Sequence, residues 1–248
     1  MNMEFGAFSV SLSAIDEERF GHKAARASMV SKDVIPELMD FCAKNDVKFL
    51  IARCQSSEIK AAQEMERAGF LLMDTLIYYS RDLHRTPIPE DDGSVTIRPL
   101  HPGEEGRIKE LAQRMFHKYV GHYHMDERLD GDKCDEAYAS WAAISCVNRG
   151  PDSEVIAALS EGSILGFAAL RMNSPQEGEG VLVGVSPEAQ KKGISKSLMI
   201  GGLDWCLSKG ADQMLISTQM INTAAQKVWT RLGFEPARAM YTFHKWFD

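Results

Sequence analysis

The stretch that decides the fold of this chain is Val181-Leu-Val-Gly-Val-Ser-Pro-Glu-Ala-Gln-Lys-Lys-Gly-Ile-Ser-Lys-Ser-Leu-Met199. It starts as an apolar strand that Pro187 ends, since proline donates no N–H to a ladder. Gly193 then frees the backbone of a loop, and the loop opens a helix. The N–H groups and partial positive charge at such a helix start form a pocket for a pyrophosphate. The same segment carries three lysines, Lys191, Lys192 and Lys196.

The strand in this stretch contains Gly184, which lies inside the apolar run Val181–Val185. A glycine in a strand marks a bulge or a close approach to the backbone. A strand that splays from its neighbour can take up an extended ligand arm as an additional strand. The stretch therefore predicts a site for a long ligand that carries a pyrophosphate.

The elements around this stretch alternate between strands and helices. Apolar spacing predicts helices at Glu104–Tyr119, at Cys134–Asn148, and from about Gln190 to Leu207. Short apolar runs predict strands at Val95–Pro99, Val155–Leu159, Leu165–Met172 and Val181–Val185, with a loop at Asn173–Gly180. The second half then reads β, α, α, β, β, β, α, β, α, β, an α/β fold with mixed strand directions.

The turn-rich stretch Thr86–Gly93 divides the chain, and it predicts two domains, residues 1–88 and 94–248. The two halves also resemble each other at one constant offset of 164 residues, at which Gln55 meets Gln219 and Gly69-Phe70 meets Gly233-Phe234. Each copy reads strand, alanine-containing helix, Gly-Phe, apolar strand. Strand–helix–strand units also converge, so a true repeat and convergence both stay open. If the repeat is true, the first half is a reduced copy of the second.

Composition excludes several classes of protein. The 28 basic and 35 acidic residues give a net charge of −7, and neither half has a basic stripe, which argues against a nucleic-acid partner. The run Ile164–Leu170 is too short to span a membrane, and Met1–Ser13 lacks the basic start of a signal peptide. The five scattered cysteines are typical of reduced thiols. We therefore expect a cytoplasmic protein with no membrane partner.

The deciding stretch resembles the acetyl-CoA-binding motif of the GNAT N-acetyltransferase superfamily, V-x-P-x-x-[QR]-x-x-G-x-[GA]. The matching residues are Val185, Pro187, Gln190, Gly193 and, at the final small position, Ser195. A second family motif, N-x-x-A-x-x-x-Y-x-x-x-G-F, matches at Asn222, Ala225, Gly233 and Phe234, with Trp229 at the tyrosine position. The resemblance implies a GNAT-type mixed, splayed β-sheet flanked by helices, preceded by a smaller truncated GNAT-like domain. It also implies acetyl-CoA as co-substrate.

A narrower resemblance covers nearly the whole chain. The branch that includes the dTDP-fucosamine N-acetyltransferases shares T-Q-x-x-N-T-A-A, present here as Thr218–Ala225, and a Y-x-x-W helix, present as Tyr138 and Trp141. Its N-terminal W-(D/E)-x-x-F-F-G signature is matched only in part, by Ile15–Gly21. This resemblance implies an amino sugar carried on a nucleotide as the acceptor.

Three residues bear on acid–base chemistry. Trp229 stands where the family usually has the tyrosine that protonates the CoA thiolate, and indole has no proton to give near neutral pH. We expect Trp229 to form a wall against the pantetheine arm, and Tyr241 to replace the acid, with simple sheet packing as the alternative for Tyr241. Glu179 resembles the general-base glutamate of some GNAT enzymes, with a solvated loop carboxylate as its alternative.

His122, His124 and Asp126 spell H-x-H-x-D, which begins a metallo-hydrolase signature. That signature continues with histidine, where this chain has Glu127, and only His244 remains downstream as a further histidine. GNAT enzymes place their acceptor-binding loop between the corresponding two helices. The resemblance therefore implies that these three side chains hydrogen-bond a sugar or diphosphate, and a plain surface loop is the alternative.

The sequence thus predicts an acetyl-CoA-dependent N-acetyltransferase that acts by direct attack of a small-molecule amine, without a metal. The rival functions are a non-catalytic acyl-CoA-binding module, favoured by Trp229, and the metallo-hydrolase. The oligomeric state stays open. The predicted CoA-binding residues are Val183, Val185, Gln190, Lys191, Lys192, Gly193, Ile194, Ser195, Lys196, Asn222 and Trp229.

Overall fold

The computed structural model describes residues 7–117 and 119–247. The elements of the first part are Ser9–Leu12 (β1), Ala14–Phe20 (α1), Ala24–Ser28 (β2), Ile35–Lys44 (α2), Phe49–Gln55 (β3), Ile59–Arg67 (α3) and Leu71–Asp82 (β4). Those of the second part are Thr96–Pro99 (β5), Glu105–Phe116 (α4), Gly131–Val147 (α5), Ser153–Ser160 (β6), Ser163–Ser174 (β7), Glu177–Val185 (β8), Ile194–Ser208 (α6), Gln213–Gln219 (β9), Thr223–Arg231 (α7) and Glu235–Trp246 (β10).

The predicted order of elements in the second half is confirmed, and two predicted boundaries are wrong. The predicted loop Asn173–Gly180 is a tight turn instead, because β7 runs to Ser174 and β8 starts at Glu177. The predicted helix start near Gln190 is also wrong, since α6 begins at Ile194. The backbone of Lys191 has φ 63° and that of Gly193 φ 83°, and neither conformation continues into a helix.

The chain forms two compact units, and neither is one continuous segment. Described residues 7–77, 120–134 and 238–247 form the first unit. In it β1 pairs with β2, β2 runs parallel to β3, and β3 pairs antiparallel with the last strand β10. Helices α2 and α3 close over an apolar core that contains Leu38, Leu50, Met65, Phe70 and Phe243.

Residues 78–119 and 135–237 form the second unit. Strands β5, β6, β7 and β8 pair in that order as antiparallel neighbours, and β8 then runs parallel to β9. Ile108, Leu111, Phe167 and Leu182 belong to its core. The mixed α/β fold predicted from the sequence, with strands in both directions and helices packed beside them, is confirmed.

The strand, helix and strand predicted for each copy are confirmed, because β3, α3 and β4 become β9, α7 and β10 when 164 is added to their bounds. A true repeat and convergence both give this match. The last strand of each copy passes from one unit into the other. Lys245 of β10 donates to the Ala68 carbonyl oxygen in the first unit at 2.7 Å. At the equivalent position, Arg81 of β4 packs beside Gly233 in the second unit. Each unit is therefore completed by a strand from the other copy.

The predicted domains at 1–88 and 94–248 stay a prediction, and the two compact units do not follow that single cut. The five cysteines are free, and all five are buried. Within the described residues, every helix is too short or too polar to cross a membrane.

Candidate active site

In the second unit, strand β8 pairs with its neighbour β9 over only part of its length. Strands β8 and β9 pair only from Glu177 to Gly180, which face Gln213 to Ile216. At that point the register between β7 and β8 shifts, so that Val181 has no opposite residue on β7. An extra residue of this kind bends a strand. Over Val181–Val185, the described part of the chain therefore pairs with β8 on its β7 side alone, and the other edge stays open.

Gly184 lies in this open part of β8, and Met115 of helix α4 packs against it where a side chain would otherwise be. A Cβ atom there would lie only 1.8 Å from Cε of Met115, so any side chain at this position would require the flexible end of Met115 to move. The sequence left a bulge or a close approach as alternatives for Gly184. The structure shows the close approach, whereas the bulge lies at Val181.

The loop after β8 forms a cradle of backbone donors. Lys191 and Gly193 both have left-handed φ values, and α6 starts at the next residue, Ile194. No acceptor within the described chain receives a hydrogen bond from the N–H groups of residues 191–195. Successive free N–H groups at a helix start bind phosphate oxygens. Gln190, Lys191 and Lys192 are exposed around this cradle, so their side chains are free to approach an anion.

Helix α7 carries the two other residues predicted to bind CoA. Asn222 caps the helix, because its Oδ1 accepts from the Ala225 N–H at 3.3 Å, while its Nδ2 donates to Thr218 Oγ1 at 2.9 Å. Trp229 is buried with 4% exposure, and its ring lies 5.6 Å from that of Tyr79 in an edge contact. Tyr79 was not predicted from the sequence.

The two predicted catalytic side chains lie in different surroundings. Glu179 is in β8 rather than in a loop, and its Oε2 accepts from Arg171 Nη2 at 2.6 Å and Nε at 3.0 Å. Tyr241 belongs to the first unit, where it faces Cys54 on β3 and packs against the core beside Phe243. The catalytic roles of both stay predictions.

Of the predicted acceptor-binding residues, His122 and His124 lie in a one-turn helix, His122–Met125, of the first unit, and Asp126 follows its end. His122 and Asp126 are buried rather than part of a surface loop, with exposures of 8% and 5%. His122 Nδ1 lies 2.9 Å from His244 Nε2, and His244 Nδ1 lies 2.8 Å from Asp126 Oδ2. His124 is outside this chain of contacts, and its Nδ1 accepts from the Gly121 N–H at 3.2 Å.

The electrostatics of this chain of side chains follow from burial and hydrogen bonding. Burial lowers the pKa of His122 well below its usual value, and the charge of Arg53 adds to the effect. Burial raises the pKa of Asp126, but hydrogen bonds from His244 and Trp246 outweigh it and hold the pKa below its usual range. His122 is therefore neutral and Asp126 ionised at neutral pH.

A second group of buried polar side chains, centred on Asp16, also lies in the first unit. Asp16 accepts hydrogen bonds from Ser13, Arg26 and Tyr123, the last at 2.8 Å. Asp16 lies in the partly matched signature Ile15–Gly21, but the sequence did not predict its hydrogen-bond partners. Among the residues that the structure covers, no cluster of three histidine, cysteine or acidic side chains is placed to hold a metal ion.

The sequence profile described as the Acetyltransferase (GNAT) family matches residues 107–234, just over half of the chain. A mycothiol acetyltransferase of Saccharopolyspora erythraea is 36% identical over 84 residues, 34% of this chain and 28% of that protein. Another, of Pseudarthrobacter chlorophenolicus, is 33% identical over 158 residues, 62% of this chain and 45% of that protein. The chain spans less than half the length of these relatives.

Solved structures agree with this match at the level of the fold. A GCN5-related N-acetyltransferase from Sphaerobacter thermophilus has a TM-score of 0.67 at 14% identity, covering 97% of this chain and 76% of that one. A tandem GNAT protein from the clavulanic acid biosynthesis pathway has a TM-score of 0.63 at 15% identity, covering 91% and 76%. On the family profile and the shared fold, this chain belongs to the GNAT acetyltransferase family.

Proposed function

We propose that this chain transfers an acetyl group from acetyl-CoA to the primary amine of a small molecule. One observation carries the proposal: an open strand edge at Val181–Val185 leads directly to the free N–H groups of residues 191–195. The pantetheine arm of CoA carries amide groups that can pair with a strand edge, and its diphosphate suits a helix start. The residues present therefore fit this ligand.

Each part of the site has a role in this proposal. The half-buried side chains of Val183 and Val185 line the open edge, which binds the arm. The N–H groups of Gly193, Ile194 and Ser195 hold the diphosphate, and the exposed lysines before them attract it. A free N–H of β8 polarises the thioester carbonyl, because a donor aimed at the developing oxyanion stabilises it. Trp229 and Asn222 support helix α7 beside the ligand.

The proposed reaction is direct attack. A neutral amine attacks the thioester carbonyl carbon, the carbon–sulfur bond breaks, and the thiolate leaves as the CoA thiol after it takes a proton. Overall, an ammonium and acetyl-CoA give an acetamide, the CoA thiol and one proton. The chain must therefore accept one proton from the ammonium and deliver another to the thiolate.

The acceptor is proposed to be an amino sugar carried on a nucleotide. Support for it comes from the shared T-Q-x-x-N-T-A-A at Thr218–Ala225 and the Tyr138–Trp141 helix. The relatives named mycothiol acetyltransferases favour a second candidate, the unacetylated precursor of mycothiol.

The experiment is release of CoA thiol from acetyl-CoA, measured with nucleotide-linked amino sugars, the mycothiol precursor, free amino sugars, polyamines and amino acids. Turnover with one class and N-acetylation in its product support the proposal. Tight acetyl-CoA binding with no thiol release from any amine would favour the non-catalytic binding module instead. Absence of acetyl-CoA binding would overturn both.

Tyr241 is proposed as the group that protonates the thiolate, and its hydroxyl can be removed alone. We expect Tyr241→Phe to lower kcat at saturating acetyl-CoA by about 10²–10⁴-fold, because a general acid contributes that much. The ring stays, so the melting temperature should change little. Trp229→Tyr is measured beside it. A fall of less than tenfold in the first variant with a large gain in the second would show that the natural site uses no dedicated acid.

A further inference from the structure

The sheet of the first unit carries two arginines on one face. Successive residues of a strand point to opposite faces, and Ala25 and Ala52 belong to the apolar core beneath α2 and α3. Their neighbours in sequence, Arg26 of β2 and Arg53 of β3, therefore project from the other face. The parallel register of these strands makes the two arginines diagonal neighbours, and Thr242 of β10 stands directly opposite Arg53.

The charges beside this face do not balance. The buried Asp16 accepts from Arg26 Nε at 2.5 Å and from Arg26 Nη2 at 2.9 Å, and Arg19 Nη1 lies 3.8 Å from it. Asp126, the other buried carboxylate in the described part of this unit, is held by a histidine and a tryptophan instead. Among the residues that the structure describes, Arg53 has no ion-pair partner. Its positive charge is therefore uncompensated.

Arg53 also keeps two hydrogen-bond donors. Its Nε donates to Thr242 Oγ1 at 3.3 Å, and Thr242 is fully buried. Within the described parts of the chain, neither Nη1 nor Nη2 of Arg53 meets an acceptor. The side chain is half-buried, so it has lost part of its hydration without gaining a partner. An anion that reaches this guanidinium therefore makes a charged hydrogen bond in a partly desolvated site.

His122 indicates that the potential at this place is positive. Burial lowers the pKa of His122 most, and among its charged neighbours Arg53 lowers it most strongly, with Arg26 also contributing. Both guanidinium groups therefore lie near the same imidazole ring. The chain as a whole has a net charge of −7, so this positive potential is a local feature of the first unit.

We propose that the first unit binds an oxyanion group of a small molecule, a phosphate or a carboxylate, at Arg53 and Arg26. A guanidinium presents parallel N–H donors that match two oxygens of either group. The donors available in the described structure are Nη1 and Nη2 of Arg53 and Nη1 of Arg26, because Asp16 takes the other two of Arg26. This inference goes beyond the proposed acetyl transfer and does not depend on it, since its residues all lie in the first unit.

Arg26 is held in place before any ligand binds. Its Nη2 donates to the Tyr123 hydroxyl at 2.5 Å, and that hydroxyl donates to Asp16 at 2.8 Å. Ser13 Oγ donates to the same carboxylate at 2.6 Å. Donors that are already ordered lose little conformational freedom on binding. Arg26 therefore supplies a fixed wall of the site, and Arg53 supplies the charge that needs a partner.

The test observes the arginine side chains in the full chain. The protein is labelled with ¹⁵N-arginine, and the Nε–H signals of Arg53 and Arg26 are assigned through bonds to their backbones. Inorganic phosphate and acetate are titrated separately, each replacing potassium chloride at constant ionic strength. We expect the Arg53 signal to shift and saturate with at least one of them, and the tighter ligand identifies the group. Phosphate bound at residues 191–195 contributes nothing to this readout, since that loop has no arginine.

Arg231 is the matched control, because it is exposed at the end of α7 and no described carboxylate pairs with it. Its signal should move only in proportion to the ligand concentration. Arg53→Lys keeps the charge but loses the paired donors, so binding followed at Arg26 should weaken at least about tenfold. No saturation at Arg53 with either ligand, equal saturation at Arg231, or unchanged affinity in a folded Arg53→Lys variant would overturn the inference. The wild-type titration decides by itself if that variant does not fold.

Discussion

Two separately produced fragments, residues 1–90 and 91–248, are each expected to remain unfolded. The first fragment lacks the strand β10, whose residues Met240–Trp246 pair with β3, and it lacks the turn that carries His122. The second fragment lacks residues 78–82 of β4. We expect no cooperative thermal transition from either fragment by circular dichroism, and no acetyl-CoA binding by the second.

The expected loss of folding stability follows from the buried residues that each fragment lacks. Phe243 is 1% exposed in the core of the first unit, and loss of one such phenylalanine costs about 3–5 kcal/mol. Tyr79 and Arg81 are buried in the second unit, with 4% and 2% exposure. A whole domain is stable by only about 5–15 kcal/mol, so losing β10 from the first unit, or residues 78–82 of β4 from the second, removes most of this margin.

The control is a full chain that is cut once, with no residues removed. A protease site placed within residues 88–93 of the full chain, and cleaved after folding, leaves both strands in place. This nicked protein should keep its melting temperature to within a few degrees and bind acetyl-CoA. Cooperative melting of the isolated fragment 91–248 with unchanged acetyl-CoA affinity would contradict the conclusion that each unit needs a strand from the other copy.

Replacing Gly193 by valine is expected to weaken acetyl-CoA binding at least about 30-fold, or roughly 2 kcal/mol. A Cβ at Gly193 meets no atom within 4 Å, so the protein itself does not clash. The cost comes from the φ of 83°, at which a residue other than glycine is strained by about 1–3 kcal/mol. The free loop relaxes away from this conformation, and binding must restore it. Isothermal titration calorimetry measures the Kd.

Gly210→Val provides the matched control for this strain. Gly210 has a φ of 84°, and a Cβ there also has nothing within 4 Å, but it follows the other end of α6. We expect it to lose comparable stability and keep its acetyl-CoA affinity. Equal affinities in the two variants would show that the cradle does not bind the ligand.

Local patterns made the fold and the cradle predictable. Proline after an apolar run, a glycine three residues after Gln190 and the constant offset between the copies are all visible within short stretches. The left-handed conformation of Lys191 was not visible, because lysine rarely adopts it, and the helix start was therefore placed too early.

Long-range pairing explains what the sequence did not reveal. Asp126 and His244 are far apart in sequence, and His244 becomes a partner only because β10 returns to the first unit. Neither the histidines nor their spacing indicates this, so the sequence suggested a metal motif and an open acceptor loop instead. The partition into units was equally hidden, since the linker marks a break in composition and not in packing.

The open edge at Val181–Val185 has a consequence for handling the protein in solution. A strand with unpaired backbone groups on one side is a template for any other strand, and proteins usually guard such edges with charge, proline or a covering element. This edge is apolar over five residues, and its nearest proline, Pro187, lies beyond its end. We therefore expect ligand-free protein to self-associate more readily on concentration or warming than protein kept with CoA, a difference that light scattering would measure.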